Sequence, residues 1–279
     1  MKLNLYQQEI DLDITRIMGV LDVHPDHLEG ADEMVKKALA MQENGAQFIE
    51  VGLNMQPGTE STEEQEMEFL TPMVKALSEN TKLFIAVNTS HAQVMDASVA
   101  AGACMIIDPK ALMREDALST AKNLNVPVCI VFDPQKEFVP ADEDDPTSAI
   151  SEFLYERMDA CLNAGFRKSN LIIDPSMGLG TSLEYRLKML GRIKTFKSFA
   201  LPICISVPRS IPYEDPYLNT HKPAVIALAI YMVQEGVNII RTRMVGDVAL
   251  ALDTWQALNR SSRPFKLTRA IADRFLKRT

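Results

Sequence analysis

Gly45-Ala46-Gln47-Phe48-Ile49-Glu50, Gly102-Ala103-Cys104-Met105-Ile106-Ile107 and Gly236-Val237-Asn238-Ile239-Ile240-Arg241 repeat one grammar three times along the chain. A helical pattern ends, a glycine caps it, and an apolar strand begins almost at once. Gly165 stands in the same place ahead of Leu171. Tight turns leading into strands, with longer polar loops leading out of them, build a barrel of repeated βα units.

Working outward from these turns, short continuous apolar runs cover residues 17–23, 48–53, 83–87, 105–107, 126–132, 171–173, 203–207 and 237–240. Runs without polar alternation suit parallel strands covered by helices on the outside. Amphipathic stretches lie between them at 31–42, 63–77, 92–101, 150–162, 183–193, 224–233 and 248–258. Eight strand candidates separated by helices predict a (β/α)8 TIM barrel forming a single domain over residues 1–279. The rival, a doubly wound open sheet, lacks a Gly-x-Gly-x-x-Gly after any strand. Residues 1–15 alternate Leu3/Leu5 and Ile10/Leu12, which predicts an N-terminal β-hairpin plugging the barrel bottom. The acidic stretch 140–146 reads as a solvated loop and the basic tail 263–279 as a final helix.

The bulk properties agree. The 279 residues, 47% hydrophobic and 24% charged, suit one barrel, which typically takes about 250 residues. No apolar run reaches the roughly 18 residues of a membrane span, and the N-terminus has no signal-peptide core. A formal net charge of -8 argues against non-specific nucleic-acid binding. Cys104, Cys129 and Cys204 lie inside apolar runs and, with Cys161, read as reduced core thiols. The expectation is a cytoplasmic protein without a membrane or nucleic-acid partner.

Function in such a barrel belongs to the residues just past each strand. These are Asp22, His24 and Asp26; Glu50, Asn54 and Gln56; Asn88 and Thr89; Asp108 and Lys110; Asp133; Asp174 and Ser176; Arg209 and Ser210; Arg241 and Arg243. Arg209, Arg241 and Arg243 come from the last two loops, where these barrels commonly hold phosphate, and arginine forks suit an anion. The alternative is that Arg241 and Arg243 pair with neighbouring carboxylates such as Asp174. Asp22, Glu50 and Asp174, expected on opposite strands, suit a polar heterocycle or a shared Mg2+. His24 and His27 make a poor zinc pair without a cysteine beside them, and His91 and His221 read as solvated.

Several segments, in order, resemble dihydropteroate synthases of the folate pathway and the wider pterin-binding barrel superfamily. Residues 17–26 (IMGVLDVHPD) resemble "MGILNVTPDSF", and 45–58 resemble "GAxIIDVGGESTRPG". Residues 86–90 (AVNTS) are similar to "SVDTS", 102–108 to "GAxIINDI", 171–180 (LIIDPSMGLG) to "LLDPGxGFGK", and 240–243 (IRTR) to "RVHD". The resemblance implies a barrel with an N-terminal hairpin, a homodimer, a pterin in the mouth, and condensation of a pterin methyl diphosphate with p-aminobenzoate. It gives Asp174 the pterin anchor, and gives Asp22, His24 and Asn54 the part played with Mg2+.

The departures fall on the binding residues. Asp22 stands for the family's asparagine, His24 for threonine, Gln56 for arginine and Asn88 for aspartate. Ile107 stands for asparagine, Ser210 for lysine and Arg243 for histidine. Each buried ring group left unpaired costs about 1–3 kcal/mol, so Asn88, Ile107 and Ser210 together put roughly 3–9 kcal/mol of pterin recognition at stake. Synthase activity is therefore expected to be weak or absent. The alternatives are a non-catalytic paralogue partnering a folate-pathway protein, or an enzyme on another anionic substrate.

Overall fold

The computed structural model describes residues 1–5, 8–24, 30–55, 59–132, 145–176, 183–207 and 222–260. Eight parallel strands, β3 (Arg16–Val23), β4 (Phe48–Leu53), β5 (Phe84–Asn88), β6 (Met105–Asp108), β7 (Val128–Val131), β8 (Leu171–Asp174), β9 (Cys204–Ser206) and β10 (Ile239–Thr242), lie in the order β8-β7-β6-β5-β4-β3-β10-β9. The parallel bridge between Ile173 and Ile203 joins the two ends, curling the sheet into the expected barrel. The helices α1 (Ala31–Glu43), α2 (Glu63–Asn80), α3 (Ala92–Ala100), α4 (Ala117–Leu124), α5 (Pro146–Asn163), α6 (Leu183–Gly191), α7 (Lys222–Gln234) and α8 (Val245–Arg260) connect the strands.

The glycine turns form as the sequence grammar demands, one position later than a cap. After α1, Ala46 N–H donates to Met41 O and Gly45 N–H to Gln42 O, both at 3.0 Å. This is the Schellman pattern, in which the residue past the cap turns left-handed. The same pair of bonds closes α3 at Gly102, α5 at Gly165 and α7 at Gly236. At Gly102 the need for glycine is double. Its φ is +118°, and a Cβ would stand 2.6 Å from the Ser78 Cβ.

Strand alternation sorts the apolar residues into two layers. Ile17, Ile49, Ile85, Ile106, Ile130, Ile173, Ile205 and Ile240 face the helices. Met18, Phe48, Met105, Cys129, Ile172, Cys204 and Ile239 fill the barrel. The hairpin of β1 (Lys2–Leu5) and β2 (Gln8–Asp11), paired Leu3 to Ile10, sends Leu3, Leu5, Ile10 and Leu12 into that inner cluster. It plugs the barrel bottom as predicted.

Two differences from the sequence reading matter. The pattern singled out no helix between the fourth and fifth strands, yet α4 lies there, burying only Ala117 and Ala121. Alanines make a weak apolar stripe. Pro146 opens α5 and the Asp145 side chain accepts from Thr147 N–H, so the acidic stretch ends as a helix start. Residues 133–144 and 263–279 lie outside the described residues. Among the described residues, no helix is long and apolar enough to cross a membrane.

Candidate functional site

The inward residues at the C-terminal ends of the strands form a charged floor. Glu50 and Arg241, expected just past their strands, are strand residues, and alternation aims them into the barrel with Asp22, Asn88, Ile107 and Asp174. Arg241 lies between two acids, its Nε 3.6 Å from Glu50 Oε2 and its Nη2 3.3 Å from Asp174 Oδ2. The three side chains are 13%, 7% and 1% exposed. Burial works against the Arg241 charge, but Glu50 and Asp174 outweigh it and hold the guanidinium protonated. Burial also raises the Asp174 carboxyl above the ordinary range, with Arg241 opposing.

Several polar atoms on this floor accept or donate no hydrogen bond: Glu50 Oε2, Asp174 Oδ2, and Arg241 Nε and Nη1. Buried polar groups are nearly always satisfied, and the exceptions mark places where a partner is missing. The remaining capacity is spent locally. Asn88 Nδ2 donates to Glu50 Oε1 at 2.6 Å. Gly52 makes room for it, since a Cβ there would stand 3.0 Å from the Asn88 Cβ. Ser176 N–H donates to Asp174 Oδ1 at 2.8 Å from a left-handed backbone, φ +58°. Such strain in a non-glycine residue collects at functional sites.

At the rim, Arg243 grips Asp22 with a fork, Nε to Oδ2 and Nη2 to Oδ1, both 2.5 Å. That contact raises the Arg243 pKa. Arg241 and Arg243 thus take up the carboxylate-pairing alternative, Arg243 with Asp22 of the adjoining β3 and Arg241 with Glu50 and Asp174, each two strands away. Asn54 Nδ2 lies 3.4 Å from His24 Nε2 beside them. Asp22, His24 and Asn54 do not make a Mg2+ site as they stand. Both Asp22 oxygens are held by a guanidinium, and Mg2+ demands oxygen donors in near-octahedral geometry. Arg209 and Ser210 lie outside the described residues, as do Asp26, Gln56 and Asp133.

Asp108 is a correction. Alternation along β6 points Met105 and Ile107 inward, which turns Asp108 toward the helices. There it accepts from Ser90 Oγ and from the N–H groups of Lys110 and Leu112, pinning a loop in which Ala111 and Leu112 have positive φ. Arg157 completes the clamp by donating to Ala111 O and Leu112 O. His91, read as solvated, is only 14% exposed and lies near Glu63. Glu66, which the sequence reading missed, is buried and accepts from Ser61 and Thr89.

The second miss is Cys129 and Cys204. Both are free, buried and inward-facing, and their sulfurs lie within 4.8 Å of each other and of an Asp174 oxygen. Strand parity was the available signal, since both share the inward register of Asp174 and Arg241. A separate cleft of about 530 Å3 lies between β3, α1 and α2, lined by Asp22, His24, Met34 and Phe69. Its lining contains neither Asp174 nor Arg241, so it is distinct from the charged floor.

Comparison with known proteins finds relatives over nearly the whole chain. The family described as pterin binding enzyme matches residues 18–243, a span that includes every charged residue of the floor. The dihydropteroate synthase of Haemophilus influenzae is 30% identical over 276 residues, covering 92% of this chain and 98% of that protein. The Escherichia coli dihydropteroate synthase is 28% identical, with 92% and 96% covered. Among solved structures, Yersinia pestis dihydropteroate synthase with a pterine-sulfa conjugate superposes with a TM-score of 0.84 at 27% identity, covering 93% and 99%. Xanthomonas albilineans dihydropteroate synthase with 7,8-dihydropteroate superposes with a TM-score of 0.81 at 28% identity, covering 93% and 99%. Matched over nearly its whole length by dihydropteroate synthases, the chain belongs to the pterin binding enzyme family.

Proposed function

We propose that this protein is a divergent dihydropteroate synthase homologue that binds a pterin-like ligand over Asp174 and has weak or no synthase activity. The observation that carries the reading is the buried Asp174 carboxylate with one oxygen unsatisfied, flanked by equally unsatisfied Arg241 and Glu50 atoms. An ionised carboxylate there accepts from the paired N–H donors of a pterin ring, and Asn88 and Glu50 meet further ring groups. Homologues and structural neighbours named for this reaction, one solved with its dihydropteroate, support it.

In the condensation the amine of p-aminobenzoate attacks the pterin methylene carbon. The carbon–oxygen bond breaks, diphosphate leaves with the electron pair, and the new ammonium loses a proton to diphosphate or water. Arg243 would be the rim cation that meets the leaving group. Arg243 must first release Asp22, and Ile107 offers the ring no partner at all. Both features slow the reaction relative to a synthase without them. While paired with Asp22, Arg243 brings no net positive charge to the rim, so its charge meets an anion only once that fork opens.

The same pairings favour a second reading, because arginines neutralised by carboxylates describe a site that no longer handles diphosphate. The protein would then be a non-catalytic paralogue, a cytoplasmic homodimer that partners a folate-pathway protein. An enzyme on another anionic substrate is the third reading. A thermal-shift panel of pterin, pterin diphosphate, p-aminobenzoate and phosphate, with a turnover assay, separates them. Pterin response with slow turnover supports the proposal. Response to phosphate alone supports a changed substrate, no response supports the paralogue, and turnover at the rate of an ordinary synthase removes the divergence.

A further inference from the structure

The inner cluster of the barrel is apolar except at one spot. Cys129 on β7, Asp174 on β8 and Cys204 on β9 point inward from three consecutive strands, and each is fully buried. Two sulfurs and one carboxylate oxygen lie within 4.8 Å of one another, and Asp174 Oδ2, ion-paired with Arg241 Nη2 at 3.3 Å, accepts no hydrogen bond. We propose that Cys129, Cys204 and Asp174 bind a soft divalent metal ion, zinc by the chemistry of its donors, at the base of the mouth.

The rival use of two neighbouring thiols is a disulfide, and the topology opposes it. Strand β8 lies between β7 and β9. At about 4.8 Å per strand spacing, the two cysteine Cα atoms are held roughly 9–10 Å apart. A disulfide needs about 4.4–6.8 Å, so forming one would require the barrel to deform. A metal ion spans the gap without that movement. Zinc–sulfur bonds of about 2.3 Å and zinc–oxygen bonds of about 2.0–2.2 Å place tetrahedral donors within about 4 Å of one another.

The donor set selects the ion. Thiolates favour zinc over Mg2+ or Ca2+, and three protein ligands with an open fourth position make a site that also accepts water or a small ligand. Charge is compatible. Two thiolates, Asp174 and Glu50 carry four negative charges, while zinc and Arg241 carry three positive ones. Arg241 lies close enough to both sulfurs for their charges to favour each other. Burial, and next the adjoining Cys204, push the Cys129 thiol well above its usual range. Zinc must therefore displace protons, and affinity rises with pH. The site uses the same Asp174 oxygen as the pterin reading, so metal and pterin would compete for it, and metal binding does not depend on that reading.

The test uses the full chain, reduced and stripped with a chelator, titrated with Co2+ and then Zn2+. Expected is one equivalent of Co2+ with a thiolate-to-cobalt charge-transfer band that Zn2+ bleaches. Cys129→Ser and Cys204→Ser each should weaken binding by more than the ~10–100-fold that losing a supporting partner costs. Cys104→Ser with Cys161→Ser should leave it unchanged. X-ray absorption of the zinc-loaded parent needs no variant to fold, and should show two sulfur neighbours at about 2.3 Å. No charge-transfer band, a nitrogen- and oxygen-only shell, or full affinity in the double Cys129→Ser/Cys204→Ser protein would overturn the proposal.

Discussion

Replacing Arg241 with methionine removes the cation from between two buried acids while nearly conserving length. Its Nε and Nη2 lie 3.6 and 3.3 Å from Glu50 and Asp174. At an effective dielectric of about 20 these contacts are worth about 4.6 and about 5 kcal/mol of gross attraction. Freeing the guanidinium from burial returns several kcal/mol, and one-sided removal of a buried pair typically costs about 3–5 kcal/mol net. That is the expected loss near pH 8, read from urea midpoints followed by circular dichroism. The loss should shrink as pH falls, for a reason fixed by sign. The Asp174 carboxyl is already raised above the ordinary carboxylate range, chiefly by burial, and losing Arg241 raises it further. A raised folded-state pKa gives stability that is complete below the unfolded value and is lost as pH rises through the folded one. Parent and variant should thus converge toward about pH 5 and diverge toward about pH 8. Adding Asp174→Asn and Glu50→Gln should recover most of the loss. A single variant within about 1 kcal/mol of the parent at both pH values would refute the argument that these acids depend on Arg241.

Three further outcomes are expected. Ile107→Asn returns a donor and an acceptor to the inward face of β6 and should tighten pterin binding by about 1–3 kcal/mol in calorimetry; unchanged affinity places the pterin elsewhere. Arg243→Ala should weaken diphosphate binding by about 1.5–3 kcal/mol, the worth of a charge-assisted contact, and equal affinity takes Arg243 out of the anion site. Gly102→Ala forces a side chain into φ +118° against Ser78, and should lower stability by about 1–3 kcal/mol or more without changing ligand affinity. A neutral effect there would mean the α3–β6 turn relaxes.

The layout of the mouth shows where reading from sequence stopped. Asp22, Asn88, Asp174 and Arg241 were all identified from position alone, because a strand end is visible as the end of an apolar run. Asp108 was misplaced because it too ends a run. Only the inward register of Met105 and Ile107 shows that it faces the helices. A one-residue shift along a strand exchanges the two faces, so proximity to a strand end does not tell which face a side chain joins.

The barrel itself was written locally. Each strand is a short apolar run, the turns after α1, α3, α5 and α7 each put a glycine in the left-handed region, and the hairpin shows its own alternation. These are near-neighbour constraints, and near neighbours in sequence suffice to express them. Which charges neutralise one another was not written locally. Arg243 meets Asp22 across 221 positions, and Arg241 meets Glu50 and Asp174, both far earlier in the chain. Two cysteines that read as inert apolar residues converge only because β7 and β9 flank β8. Closing the barrel sets those distances, and through them decides whether the glycine-turned scaffold carries an open anion site, a pterin floor or a metal.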